Sequence, residues 1–172
     1  RAAKEDWDKH KADAGRNGFK YKVLQDGEFV ERESGDIKVG EIVKVEQNNM
    51  IPTDMLFLGS SLAKGHCFID KSNLNGETHL EVMNSMVQTR PLCKDAASMS
   101  KLNLTIQYEP PNKRFDSFRG TIVLDSPSEG KVEYNVDGKP LIMRETNLRN
   151  CDYIYGLVVY TGNDTKIQRS NL

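Results

Sequence analysis

Glu41-Ile42-Val43-Lys44-Val45-Glu46, followed past Asn48-Asn49 by Ile51-Pro52-Thr53-Asp54-Met55-Leu56-Phe57-Leu58, decides the fold class. The first segment alternates polar and apolar residues, the period of a half-buried strand. Asn48-Asn49 turns the chain, and the unbroken apolar run Met55 to Leu58 suits a buried strand. Working outward, Phe19–Leu24, Glu28–Glu33 and Ile37–Val39 read as strands separated by Asp26-Gly27 and Ser34-Gly35. Cys67–Ile69, Leu104–Tyr108, Phe118–Leu124, Lys131–Asn135, the short Leu141–Met143 and Ile154–Tyr160 continue the series, with turns at Gly130, Asp137-Gly138 and Thr161-Gly162. Many short strands at close spacing predict a mainly β fold, a β-sandwich or distorted jelly-roll, rather than βαβ units.

Short helices flank this β region at both ends. Residues 1–18 are rich in Ala, Lys, Glu and Asp, place Ala3, Trp7 and Ala14 on one face, and end at Gly15 and Gly18. At the other end Asp164 or Thr165 is placed to cap a short closing helix. Residues 83–103 lose the strand alternation and are predicted as a helical or loose excursion. The expected organisation is one domain over 1–172: a helical lead-in 1–18, a β core 19–162 carrying the 83–103 excursion, and an exit segment 163–172.

At 172 residues, 37% hydrophobic and 28% charged, the chain is long enough to bury a core. A net charge of -1 gives no electrostatic footprint for nucleic acid. The longest apolar run, Tyr153 to Tyr160, is too short to span a bilayer, and the opening Arg1-Ala2-Ala3-Lys4-Glu5-Asp6 has no apolar signal region. Cys67, Cys93 and Cys151 are widely spaced, which implies neither a disulfide framework nor a zinc site and fits a reducing compartment.

Motifs for nucleotide, zinc or nucleophilic-serine chemistry are absent from the sequence, and His10, His66 and His79 share no partner. Asp70-Lys71-Ser72-Asn73 is superficially like the DKTGT segment whose aspartate is phosphorylated in pumps. Asn73 stands where that segment needs glycine, so Asp70 is not expected to be a phosphorylated nucleophile. The stretch Phe68 to Leu80 instead runs from apolar residues into Asn73-Leu74-Asn75-Gly76-Glu77-Thr78. Two readings fit these residues: an Asn-Gly hairpin turn with a solvated glutamate, or a loop tip presenting Glu77, with Gly76 allowing a phosphate or another backbone to approach.

The order of the motifs separates these readings. Val39-Gly40-Glu41-Ile42-Val43, then Pro52-Thr53-Asp54 with its apolar run, then Gly76-Glu77-Thr78 resembles the actuator domain of P-type ATPases. Glu109-Pro110-Pro111-Asn112 with Phe118 and Gly120, Leu148-Arg149-Asn150, and Gly156-Leu157-Val158-Val159-Tyr160-Thr161-Gly162-Asn163-Asp164-Thr165-Lys166 resemble the phospholipid flippases of class IV, as does His10-Lys11-Ala12-Asp13. The resemblance covers nearly the whole chain and implies the cytosolic segment between membrane helices two and three of an integral membrane pump. Two residues depart from the pattern: Asn75 replaces the usual aspartate before Gly76, and Glu145 stands after Arg144 where the family tends to have glycine.

The resemblance implies that the loop docks on an aspartyl phosphate in the phosphorylation domain. There Glu77 would orient the attacking water, Gly76 would permit close approach, Thr78 would hold the loop or reach phosphoryl oxygens, and Asn75 would add a neutral polar contact. It implies no cofactor in this segment, with ATP and Mg²⁺ acting in the whole pump. The implied partners are the phosphorylation and nucleotide-binding domains and membrane helices of the same polypeptide, a phospholipid substrate, and a membrane accessory β-subunit of the kind common in the family; no nucleic acid partner is implied. A non-catalytic β-sandwich interaction module and a cation-pump actuator are the alternative readings.

Overall fold

The computed structural model describes residues 19–115, 117–126 and 129–171. Its centre is a six-stranded antiparallel sheet built from β1 (Lys20–Gln25), β2 (Glu28–Glu33), β3 (Ile42–Glu46), β4 (Asp54–Ser60), β10 (Leu141–Ile142) and β12 (Tyr153–Tyr160). Across the sheet these strands run in the order β10-β4-β12-β3-β1-β2. A three-stranded sheet contains β5 (His66–Asp70), β6 (Glu81–Asn84) and β11 (Asn147–Arg149), in the order β11-β5-β6. A second three-stranded sheet runs β7 (Asn103–Tyr108), β8 (Arg119–Ser126) and β9 (Gly130–Asp137). Three short helices complete the described chain: α1 (Ser72–Asn75), α2 (Ala96–Ser100) and α3 (Lys166–Ser170).

Side-chain alternation explains the layering. In β4, Met55 and Phe57 enter one core cluster, with Cys67 and Ile69 of β5, Met83 of β6 and Leu148 of β11. Leu56 and Leu58 point the other way and join Ile122 of β8 and Val136 of β9. β12 divides in the same manner, Ile154 and Val158 against Tyr155, Leu157 and Val159. The central sheet is therefore covered on both faces, which is why β4 reads as a continuous apolar run. Met55, Leu56, Phe57 and Leu58 are at most 1% exposed, and each such burial contributes about 1.5–3 kcal/mol. Gly156 has a local packing reason: a Cβ there would collide with the Met55 sulfur.

Asp54 opens β4 and is fully buried. Its carboxylate accepts the main-chain N–H of Arg144 at 2.8 Å and that of Lys166 at 2.7 Å. The Lys166 side chain is itself fully buried. Its Nζ donates to Asn112 Oδ1 at 2.7 Å and the Ser117 carbonyl at 2.6 Å, and lies 3.6 Å from Glu109 Oε1. Tyr160 donates its hydroxyl to the Glu109 carbonyl at 2.6 Å. The Pro52-Thr53-Asp54, Glu109-to-Asn112 and Asp164-to-Lys166 stretches, far apart in sequence, thus meet in one polar cluster. Burial pulls the Lys166 ammonium below its usual range against the opposing pull of Glu109, and pushes the Asp54 carboxyl up to about 6 against its N–H donors.

Several expectations need correction. Ile37–Val39 is not a strand, because Ser34–Asp36 forms a 3-10 turn and redirects the chain; Ile37 is still core, at 4% exposure. The 83–103 stretch is a helical and loose insertion between two strands, with narrower bounds. Its first residues finish β6, a 3-10 turn covers Arg90–Leu92, α2 follows, and Asn103 already begins β7. β6 and β11 are strands that the residue pattern does not announce. Thr165 occupies the N-cap position of α3, but its hydroxyl donates back to the Gly162 carbonyl at 2.8 Å instead of capping. The expected helix over residues 1–18 lies outside the described residues.

Asp54→Ala would leave the buried N–H of Lys166 and the part-buried N–H of Arg144 without this acceptor, and unfolding experiments at pH 7.5 should show a loss of about 3 kcal/mol. The folded-state pKa of Asp54 is raised above its unfolded value of 3.8. The part of its contribution that is linked to protonation is therefore fullest below that value and is lost as pH rises through about 6, while its role as acceptor of the two N–H groups persists. The stability gap between parent and Asp54→Ala should accordingly widen by up to about 3 kcal/mol between pH 7 and pH 4. A gap that narrows on acidification would contradict this assignment.

Candidate functional site

β5 is the middle strand of its sheet, paired with β11 through Ile69↔Leu148 and with β6 through Ile69↔Glu81. The loop leaving it begins at Asp70, whose carboxylate accepts the Ser72 N–H at 2.9 Å and starts α1. The Ser72 bonds, aided by Arg149 at 3.4 Å, hold the Asp70 carboxyl below the usual carboxylate range. Asp70, which its sequence context does not lead one to expect as a nucleophile, supports the loop through these contacts. Lys71 Nζ pairs with Glu81 Oε2 at 2.5 Å across the base.

The Asn75-Gly76 pair does not form a hairpin turn. α1 is a single helical turn, and Gly76 terminates it in the left-handed region at φ 71°, its N–H reaching the Ser72 carbonyl at 2.9 Å. Glycine stands there for its backbone: the space around it is open, with nothing within 4 Å of the place a Cβ would take. Asn75 Oδ1 then accepts the Glu77 N–H at 2.9 Å. The local chain directs Glu77 outward on a main chain held by Gly76 and Asn75. The Glu77 side chain is 55% exposed and lies 3.2 Å from His79 Nε2, itself 75% exposed; such an open pair contributes little energy. Thr78 is also exposed.

All four residues singled out from the sequence therefore lie together on one projecting tip. The supports around them are less legible in the sequence: Asn73 donates to the Glu145 carbonyl at 3.0 Å, and Arg149 links Asp70 to Asn48. A sequence cue exists for the first of these. Glu145 occupies the place where glycine is expected, and its φ is 71°, the left-handed conformation glycine accepts most readily.

Among the described residues no group of three or more His, Cys, Asp or Glu side chains is arranged to hold a metal ion. No helix among the described residues is long and apolar enough to cross a membrane.

The P-type ATPase actuator domain model matches residues 19–170. The chain is 38% identical over 170 residues to probable phospholipid-transporting ATPase 7 of Arabidopsis thaliana, covering 98% of this chain and 13% of that protein. It is 33% identical over 167 residues to the phospholipid-transporting ATPase FetA of Mus musculus, covering 97% and 14%. The chain therefore spans about one-seventh or less of the curated relatives it matches. A crystal structure of a zinc-transporting PIB-type ATPase in the E2.Pi state aligns over 91% of this chain and 16% of that one, at 11% identity and a TM-score of 0.47.

Glu145→Gly should relieve the left-handed strain while keeping the main-chain carbonyl that Asn73 uses. We expect stabilisation of about 0.5–1 kcal/mol, a rise in Tm of about 1–4 °C at this chain length. Calorimetry showing no rise, or a fall, would mean that the Glu145 side chain offsets the strain of its backbone.

Proposed function

We propose that this chain, which belongs to the P-type ATPase actuator-domain family, is the actuator of a phospholipid-transporting pump and supplies Glu77 for hydrolysis of an aspartyl phosphate held by another domain of the same polypeptide. The observation that carries the proposal is the tip itself: an exposed carboxylate delivered directly after a left-handed glycine, on a main chain anchored by Asn75. Likeness to proteins named as phospholipid-transporting ATPases supports the substrate class.

In the docked complex Glu77 accepts a proton from water as the water oxygen attacks phosphorus. The bond from phosphorus to the aspartyl oxygen breaks, inorganic phosphate forms, and the aspartate leaves as a free carboxylate. Gly76 leaves the approach unobstructed. Asn75 orients Glu77 through its main-chain N–H, and Thr78 offers a hydroxyl to the phosphoryl oxygens. A carboxylate beside a phosphate is repelled unless cationic groups of the partner domain compensate, so the loop acts only when docked. ATP and Mg²⁺ serve the nucleotide-binding and phosphorylation domains, and the domain works on the cytosolic side of the membrane helices.

The test uses a full-length pump carrying this domain. Glu77→Gln should form phosphoenzyme at the parent rate but lose it at least about 100-fold more slowly, the lower range of general-base effects. Phospholipid, and not metal cations, should accelerate decay in the parent. Normal decay in Glu77→Gln would sink the catalytic reading, and acceleration by cations alone would sink the lipid reading.

A further inference from the structure

Four residues before Glu77, the side chain of Asn73 leaves the loop. Its Nδ2 donates to the Glu145 carbonyl at 3.0 Å. That acceptor is firmly placed. Glu145 N–H donates to the Ile51 carbonyl at 3.0 Å, and Ile51 N–H donates to the Thr146 carbonyl at 2.7 Å. The neighbouring Arg144 N–H is held by the buried Asp54 carboxylate, and the buried Thr146 hydroxyl donates to the Met143 carbonyl at 2.6 Å. Asn73 thus ties the loop to the segment that the core carboxylate organises.

The other contacts of the loop act differently. Asp70 with Ser72 and Asn75 with Glu77 are local, within two residues. Lys71 with Glu81 and Asp70 with Arg149 stay within the β11-β5-β6 sheet. Leu74 adds an apolar contact with the second core cluster, which is non-directional and fixes distance better than rotation. A hydrogen bond is directional, so the amide of Asn73 supplies the rotational constraint on a one-turn helix.

We infer that Asn73 is a positioning residue for Glu77: its bond to the Glu145 carbonyl sets the rotation of α1 and so the direction in which Gly76 delivers the carboxylate. This rests on the proposed role of Glu77. Asn73 is exposed, and a solvated hydrogen bond adds little to folding, whereas misplacing a reacting group by about 1 Å slows a reaction up to about 100-fold. Removing the amide should therefore change chemistry much more than stability.

Asn73→Asp replaces the donor with a carboxylate facing a carbonyl, and Asn73→Ala removes it without adding charge. In the full-length pump both should slow phosphoenzyme decay by about tenfold, with the rate of phosphoenzyme formation and the Tm unchanged. In a Glu77→Gln background neither should slow decay further, because Asn73 acts through the carboxylate that is gone. Parent-like decay in both Asn73 variants, beside a trapped Glu77→Gln phosphoenzyme, overturns the role of Asn73 and leaves that of Glu77 standing. Equal slowing with and without Glu77, or a lowered Tm, also overturns it, since a merely structural residue behaves that way. Normal decay in Glu77→Gln alone removes the parent reading instead.

Discussion

A buried carboxylate that accepts main-chain N–H groups from two distant segments is the constraint on which this structure turns. Asp54 binds Arg144 on the segment after β10 and Lys166 at the start of α3. Burying a charge is costly, yet here the adjoining Met55 to Leu58 run is driven inward on both faces by its own apolar area. The carboxylate is carried in with it and must find donors. The ends of three chain segments become those donors and their supports, with Lys166 closing the cluster against Asn112, Ser117 and Glu109. Losing one partner leaves the others buried and unpaired, so the cluster holds or fails as a unit.

The same constraint reaches the projecting loop. Arg144, fixed by Asp54, precedes Glu145, whose left-handed backbone turns its carbonyl to Asn73. Local bonds then take over, Gly76 ending α1 and Asn75 holding the Glu77 N–H. A glutamate that is 55% exposed thereby stands on a main chain referenced to the interior. Rigidity behind an exposed group suits an element that must meet a partner in one geometry, because less order has to be created on docking.

Much of this is legible in the sequence, for physical reasons that differ between elements. Strands β3, β4 and β12 carry either clean alternation or continuous apolar runs, and burial on one or two faces writes those patterns directly. The Asp26-Gly27 and Asn48-Asn49 turns are equally plain, since Asp26 and Asn48 adopt left-handed backbones at φ 51° and 69°. β6 and β11 are hidden because each is short, with pairing to β5 rather than its own pattern making it a strand. Asn75-Gly76 reads equally well as a hairpin because both a type I′ turn and a helix C-terminus call for glycine in the left-handed region. The contact of Lys166 with Asn112 spans 54 residues, and no local signal encodes such a distance.

The departure at Asn75 follows from the same geometry. Its amide oxygen accepts the Glu77 N–H, and an aspartate at that position would accept the same bond with more charge. Asparagine therefore preserves the geometry of the tip while placing one negative charge fewer beside the phosphate the loop is proposed to approach. In the proposed docking, the repulsion between tip and phosphate would fall, and with it the demand on compensating cations. What asparagine gives up is the strength of a charge-assisted bond to the Glu77 main chain. The Asn73 tether lies on the same loop and constrains the same turn, so part of that loss is made good by a bond that carries no charge at all.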